Sequence, residues 1–180
     1  ERELIDLFLK SMEMDLEKVE YDQNKYEAYI LGSAEVVGLM CLRVFCEGNQ
    51  QQYAELKPSA MRLGSAFQKI NFLRDLKADF KDLGRSYFPG IDMAKWNDET
   101  KRAVEDDIEK DFADGLTGIR KLPDGARFGV LVAYVYFHEL LLKIRKVKAE
   151  KLLKERIRVS NGRKYVLLLK AYFQNLTNSI

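Results

Sequence analysis

Four polar side chains, Gln68, Asn71, Asp75 and Asp79, share one side of an otherwise apolar helical segment. At about 100° per residue, they fall within roughly a quarter of the helix circumference. Asp75 and Asp79 are one turn apart, so their carboxylates repel each other unless a cation lies between them. Carboxylate and amide oxygens suit Mg²⁺ better than Zn²⁺, and Mg²⁺ leaves coordination positions for water and phosphate. The stripe therefore favours a site for Mg²⁺ and a phosphorylated ligand.

A solvated polar face is the alternative, with Arg74 and Lys77 pairing the two aspartates. Gln68 and Asn71 argue against it, because they place amides on the same stripe of an apolar helix. The loop that follows, "GRSYFP", adds Arg85 and Tyr87, whose side chains could donate hydrogen bonds to a diphosphate.

A second segment, residues 24–47, is apolar on most sides and carries small residues at helical spacing. Tyr29, Ser33, Val37 and Cys41 are spaced by four, and so are Ala34 and Gly38. Such a pattern permits either close packing between helices or one wall of an apolar tunnel for a long hydrocarbon, and the spacing alone does not choose between them.

The elements that carry these residues are predicted to be helices of one all-α domain spanning residues 1–180. Only three prolines and eleven glycines interrupt the chain. Periodicity predicts helices over 3–18, 24–47, 53–82, 98–113, 124–149 and 163–176, with Asn97 as an N-cap. Gly115 and Gly118 are expected to loosen the chain after residue 113. The net charge of +2 is too small to indicate a nucleic-acid partner.

The segment "LGSAFQKINFLRDLKADFKDLGRSYFP" resembles the second aspartate-rich motif of the squalene/phytoene synthases, and "YILGSAEVVGLM" resembles another helix of that family. The segments "LPDGARFGVLVAYVYFHELLLKI" and "ERIRVSNGRK" are similar to its C-terminal part. The resemblance covers almost all of the chain and implies an isoprenoid-synthase-type helical bundle. "GRSYFP" is more similar to the Tyr-Leu-Pro of phytoene synthases than to the Phe-Trp-Pro of squalene synthases, which favours a carotenoid product.

The resemblance implies head-to-head condensation of two prenyl diphosphates, farnesyl or geranylgeranyl, through a cyclopropylcarbinyl diphosphate. It implies Mg²⁺, or Mn²⁺ in its place, and NADPH only if the product is squalene. Asp75, Asp79 and Asn71 would be metal ligands and catalytic residues. The residues implied to bind substrate are Gln68, Arg74, Arg85, Tyr87 and Arg156 at the diphosphate, and Tyr29, Ala34, Val37 and Gly38 along the chain pocket.

The family carries a first aspartate-rich motif in an N-terminal helix, and nothing before Gln68 supplies it. Asp107 and Asp111 have the same spacing, but they occur in a charged segment that we interpret as a solvated face. We therefore expect the chain to be the C-terminal part of such an enzyme, inactive alone. A non-catalytic scaffold with the same fold and a terpene-cyclase-like enzyme acting on one prenyl diphosphate are the alternatives.

The two cysteines, Cys41 and Cys46, lie in an apolar helical run and are expected to be reduced, which indicates a cytoplasmic setting. We expect no apolar run to be long enough to span a bilayer. The basic segment 143–156 and a hydrophobic product lead us to expect peripheral contact with the inner membrane surface. The single histidine, His138, is interpreted as a core or interface residue with a hydrogen-bond partner.

Overall fold

The computed structural model describes residues 1–16, 21–79, 87–177 and 179. Within these residues all regular structure is helical, which confirms the predicted all-α class. The helices are α1 (Arg2–Glu13), α2 (Gln23–Ile30), a π-helical turn (Leu31–Glu35), α3 (Val36–Phe45), α4 (Gln50–Lys77), α5 (Asp98–Ile119), α6 (Asp124–Arg145), α7 (Ala149–Leu152) and α8 (Asn161–Leu176), with 3₁₀ turns at Met14–Leu16 and Met93–Lys95.

The predicted helix over residues 24–47 is one continuous helical run interrupted by the π-helical turn. Asp22 begins it by accepting a hydrogen bond from the backbone N–H of Lys25. A tight turn ends it, with positive φ angles of 47° at Glu47 and 88° at Gly48. Asn49 then caps α4, so α3 and α4 form a helical hairpin.

Helix α4 is the central element and packs against α5, α3 and the π-helical turn. It begins at Gln50, earlier than predicted, so Pro58 lies inside the helix rather than near its beginning. The approach to the π-helical turn is very close at Gly64. A Cβ atom there would lie 2.7 Å from the carbonyl oxygen of Ala34, so a side chain at this position would force the two segments apart.

Helix α5 continues to Ile119, so the predicted end at residue 113 is wrong. Gly115 and Gly118 do not loosen the helix; they let it approach α4. A Cβ atom on Gly115 would lie 3.0 Å from Cβ of Leu63, and one on Gly118 would lie 2.5 Å from Cβ of Ser59. The predicted cap at the other end is confirmed, because Asn97 accepts hydrogen bonds from two backbone N–H groups of the first turn.

The interpretation of the Asp107/Asp111 segment as a solvated face holds for Asp107, whose side chain is 59% exposed, but is wrong for Asp111. Asp111 is 2% exposed and faces α4, where Nζ of the buried Lys69 lies 2.7 Å from its carboxylate and 2.5 Å from that of Asp107. Arg62 also reaches Asp111, at 3.3 Å. Lys69, Asp107 and Asp111, called here the Lys69 cluster, therefore join α4 to α5.

Two helical stretches, Gln23–Phe45 and Asp124–Arg145, are long and apolar enough to cross a bilayer by length and composition. The expectation that no run would reach that length was therefore too strict. The signal is weak, because core helices of soluble proteins pass the same criterion. Both stretches contribute residues to the cavity described in the next section.

Candidate active site

A cavity of about 650 Å³ lies between α3, α4, α5 and α6 and is lined mainly by apolar and small residues. Its volume is in the range of small-molecule sites. Helices α3 and α4 supply one side and helices α5 and α6 the other. The lining residues include Ser33, Ala34, Val37, Gly38, Phe45, Leu56, Gln68, Asn71, Leu122, Gly125, Gly129 and Phe137.

The cavity has an apolar end and a polar end. Helices α3 and α4 run antiparallel, and so do α5 and α6, so the α3–α4 and α5–α6 turns lie at the same end. Leu56 and Leu122 line that end and belong to one buried apolar cluster, against which the partly buried Phe45 packs. Along α4 the lining continues from Leu56 up to Gln68 and Asn71, which form the other end.

Two buried polar atoms at the polar end have no hydrogen-bond partner among the residues that the structure describes. They are Oδ1 of Asn71 and Oγ of Ser33, and both residues line the cavity. An unpartnered buried polar atom is costly, typically by about 1–3 kcal/mol, so such atoms indicate a ligand, ion or water. Gln68 is half-buried beside them, as its position on the predicted stripe requires.

Asp75 lies one helical turn beyond Asn71 and is enclosed by two guanidinium groups. Nη2 of Arg74 is 2.5 Å from its carboxylate, and Nε of Arg156 is 2.7 Å from it. Arg74 therefore acts here as an ion-pair partner, one of the two roles considered for it. Asp79 lies two residues beyond the end of α4 and is half-buried.

The placement of Tyr29 on the cavity wall is a prediction that needs correction. Its side chain is buried in an aromatic cluster with Tyr21, Phe72 and Tyr87, and its hydroxyl donates to Asp15 at 3.1 Å. Burial, together with the charge of Asp15, raises the pKa of Tyr29 above its ordinary value. Tyr29 is therefore a structural residue and is not among those lining the cavity.

Tyr87 is stacked on Phe72 in the same aromatic cluster, with ring centroids 4.1 Å apart. It is 7% exposed, and the contact of its hydroxyl with a diphosphate stays a prediction. Arg85 lies outside the described residues. Ala34, Val37 and Gly38 do line the cavity, so the tunnel alternative for that helix has the geometry it needs.

His138 is confirmed as a residue with a hydrogen-bond partner inside the fold. Its Nε2 lies 2.8 Å from a carboxylate oxygen of Glu109, and its ring stacks on Tyr134. Neither partner lies on the cavity. His138 therefore supplies a contact between α5 and α6.

The predicted basic face over residues 143–156 is partly neutralised within the chain. Arg145 pairs with Asp106 at 2.9 Å, Lys151 pairs with Glu155 at 3.0 Å, and Arg156 is held by Asp75. The expected membrane contact through this face stays a prediction, with fewer free charges than the sequence alone indicates.

On the sequence alone, no role was assigned to some residues that the structure brings to the cavity or to its walls. Phe137 lines the polar end and stacks on Phe67, with ring centroids 4.5 Å apart. Gly125 and Gly129 line the cavity from α6, one helical turn apart. Their spacing of four in a helical pattern was the available signal.

The arrangement suits an amphiphile with a long apolar chain and an anionic, oxygen-rich head. The apolar walls would bury the chain, and amides, a carboxylate and two guanidinium groups gather at the other end. Guanidinium groups bind phosphate and carboxylate oxygens in a directed way. Carboxylates alone would repel such a head, so a cation is needed between them.

Comparison with known proteins agrees with these features. A bifunctional lycopene cyclase/phytoene synthase from Colletotrichum graminicola is 30% identical over 130 residues, covering 67% of this chain and 21% of that protein. A protein of the same description from Blakeslea trispora is 36% identical over 69 residues, covering 38% of this chain and 11% of its own. The chain thus spans about a fifth or less of these curated relatives.

A solved structure described as a dehydrosqualene synthase in complex with ligand shares the fold. It superimposes with a TM-score of 0.79 at 20% identity, over 97% of this chain and 65% of that one. The sequence profile of the squalene/phytoene synthases matches residues 1–163, which is most of the chain. The chain belongs to the squalene/phytoene synthase family.

Proposed function

We propose that these residues form the prenyl-binding part of an enzyme that joins two prenyl diphosphates head to head, giving phytoene or a squalene-type product. One observation carries the proposal: an apolar cavity of about 650 Å³ ends at Gln68 and Asn71, with Asp75 one turn beyond. A prenyl diphosphate has the matching division into a long hydrocarbon and an anionic head. Family membership and the relatives' descriptions support the same reaction.

The donor set at the polar end fits a divalent cation. Oδ1 of Asn71 is buried and lacks a partner among the described residues, Asp75 follows it one turn later on α4, and Asp79 lies just past the end of that helix. All three offer hard oxygens, the kind that Mg²⁺ and Mn²⁺ prefer. Bound there, the cation would neutralise the diphosphate and make it a better leaving group. We assign Asn71, Asp75 and Asp79 as its ligands.

The arginines beside Asp75 have a separate task in this proposal. Arg156 is half-exposed and pairs with Asp75, so its guanidinium can exchange that carboxylate for a diphosphate oxygen when substrate binds. Arg74 is less exposed and holds Asp75 in place. Arg85 and Tyr87 complete the proposed diphosphate contacts.

The apolar walls have a chemical role besides binding. Loss of diphosphate leaves an allylic cation, which the double bond of the second prenyl chain attacks. Loss of a proton then gives a cyclopropylcarbinyl diphosphate. Loss of the second diphosphate and rearrangement leave another allylic cation. This cation loses a proton to give a phytoene-type product, or accepts a hydride from NADPH where the product is squalene. Because water would capture either cation, walls such as Val37 and Phe137 protect the reaction by excluding it.

The test is product analysis of the full-length gene product with labelled farnesyl and geranylgeranyl diphosphates and Mg²⁺. The wild type should release diphosphate and form a product from two substrate molecules. Asp75→Asn keeps the side-chain shape and should lower the rate about a hundredfold or more, because loss of a group that only hydrogen-bonds to a metal ligand already costs about 10–100-fold. Asp114→Asn, on the exposed side of α5, is the matched control and should react like the wild type.

Each alternative predicts a different result. A terpene-cyclase-like enzyme would give a product from one substrate molecule, and a scaffold would release no diphosphate. An unchanged rate in Asp75→Asn would remove Asp75 from the mechanism. We also propose that the 180 residues alone bind substrate without turning it over, so a head-to-head product formed by them would contradict this part of the proposal.

A further inference from the structure

We propose that Arg156 competes with the metal ion for the carboxylate of Asp75, and that binding of a diphosphate removes this competition. The inference rests on the proposed function and adds what that function leaves open, the dependence of metal binding on the substrate. A divalent cation should therefore bind weakly alone and tightly together with a diphosphate. The evidence is the geometry around Asp75 and the way in which Arg156 is held.

Both oxygens of the Asp75 carboxylate are engaged by guanidinium groups. Nε of Arg156 lies 2.7 Å from Oδ1, and Nη2 of Arg74 lies 2.5 Å from Oδ2. A second contact from each guanidinium is longer, 3.3 Å from Nη2 of Arg156 to Oδ2 and 3.1 Å from Nε of Arg74 to Oδ1. An ionised carboxylate offers about four acceptor positions, and these contacts use as many. A cation that binds Asp75 must therefore compete for oxygens that are already in use.

The charges around Asp75 also oppose a cation that arrives alone. Two guanidinium groups face one carboxylate, so the positive charge of these three side chains is in excess. A divalent cation is repelled by that excess, whereas a diphosphate is attracted to it. A diphosphate bound to Arg156 reverses the sign of the local charge, and a cation is then attracted. Each of the two ligands should therefore favour the binding of the other.

Arg156 rather than Arg74 is the residue that can leave Asp75. Its neighbours Ile157 and Val159 are buried in the main apolar core, so the backbone of this segment is anchored. The side chain of Arg156 is 46% exposed, and rotation about its own bonds is enough to move the guanidinium away. Arg74 directly precedes Asp75 on α4 and is only 20% exposed, so it keeps its pairing.

This arrangement couples the affinities of the two ligands. Displacing Arg156 costs free energy when a cation binds alone, but that cost is already met once a diphosphate holds the guanidinium. Because coupling between two ligands is reciprocal, the cation must raise the affinity for the diphosphate by the same factor. Such couplings typically amount to about 5–150-fold. The head group of the substrate would thus make the carboxylate of Asp75 available to the metal.

The experiment measures binding of Mn²⁺ to the full-length protein by electron paramagnetic resonance, with and without inorganic diphosphate. The affinities are corrected for the Mn²⁺–diphosphate complex that forms in solution. Diphosphate should tighten Mn²⁺ binding to the wild type about tenfold or more. Arg156→Gln should bind Mn²⁺ alone about tenfold more tightly than the wild type does, and diphosphate should add little further. In an Asp75→Asn background Arg156→Gln should have no effect, because the contested carboxylate is gone.

The matched control is Arg158→Gln, which removes the same charge from an exposed residue two positions away and should bind Mn²⁺ like the wild type. Thermal unfolding of each variant verifies that the fold is kept. Equal Mn²⁺ affinities in the wild type and Arg156→Gln, or an equal gain in Arg158→Gln, would overturn the competition while leaving the proposed function standing. Failure of the wild type to bind Mn²⁺ even with diphosphate would contradict the proposed function itself.

Discussion

Replacing Lys69 by methionine should destabilise the fold strongly, because it leaves a buried carboxylate without its main counter-charge. Lys69 is 8% exposed and Asp111 is 2% exposed, and Nζ lies 2.7 Å from the carboxylate. Asp107 has a side chain that is 59% exposed and can be rehydrated, so the cost arises at Asp111. Breaking a buried ion pair from one side costs about 3–5 kcal/mol.

The assay is urea denaturation followed by far-ultraviolet circular dichroism. With a denaturant slope of about 2 kcal/mol per molar, the expected loss moves the midpoint down by roughly 1.5–2.5 M. Lys57→Met, an exposed lysine on the same helix, is the matched control and should leave the midpoint nearly unchanged. Arg62, at 3.3 Å from Asp111, places the expected loss nearer the lower limit.

A double variant separates loss of charge pairing from loss of packing. Lys69→Met combined with Asp111→Leu removes both buried charges, and replacing a whole buried pair by apolar groups is often neutral or stabilising. The double variant should therefore recover most of the stability lost in the single one. A single variant as stable as Lys57→Met, or a double variant less stable than Lys69→Met, would refute the reasoning.

Three further predictions concern stability. Burial alone would lower the pKa of Lys69, but its hydrogen bonds to two carboxylates outweigh burial and raise this pKa above its ordinary value of 10.5. The Lys69 cluster should therefore stabilise the fold fully below about pH 10.5, and this stabilisation should be lost as the pH rises through the pKa of the folded state. Alkaline unfolding of the wild type compared with Lys69→Met measures this loss. Gly118→Val should lower thermal stability by about 1–3 kcal/mol, since a Cβ there would lie 2.5 Å from Cβ of Ser59, whereas Gly125→Ala should be neutral or stabilising. Asn97→Ala removes two cap hydrogen bonds and should cost about 1 kcal/mol in urea denaturation, and no loss would mean that α5 begins independently of its cap.

The sequence was sufficient to predict that Gln68 and Asn71 lie on one side of α4. The prediction required only the regular rotation of about 100° per residue, which an unbroken α-helix keeps along its length. It failed at Tyr29 for a related reason. The spacing of four from Tyr29 to Ser33 assumed a regular helix, but the π-helical turn over Leu31–Glu35 changes the phase between them. Tyr29 therefore points into the aromatic cluster while Ser33 lines the cavity.

The burial of Asp111 could not be predicted from the local sequence pattern, because its ion-pair partner, Lys69, lies 42 residues earlier in the chain. A charged stretch usually indicates solvent, and the fully buried Ile108 and Phe112 within it were too few to reverse that interpretation. The prediction of where α5 ends failed for a similar reason, because Gly115 and Gly118 allow α5 to pack closely against α4. Glycine is ambiguous in a sequence, because it serves both helix ends and close approaches.

The polar residues of α4 lie on two different sides of the helix and have different roles. Gln68 and Lys69 are neighbours in sequence but point about 100° apart, so they meet different surroundings. Gln68 and Asn71 face the end of the cavity, where an unpartnered amide oxygen remains available to a ligand. Lys69 faces α5, where its charge is fully used by carboxylates. A helix this apolar can carry both groups because neither one packs against an apolar partner. Loss of the Lys69 side chain should therefore lower mainly the stability of the fold, whereas loss of the Asn71 side chain should lower mainly the affinity for the ligand.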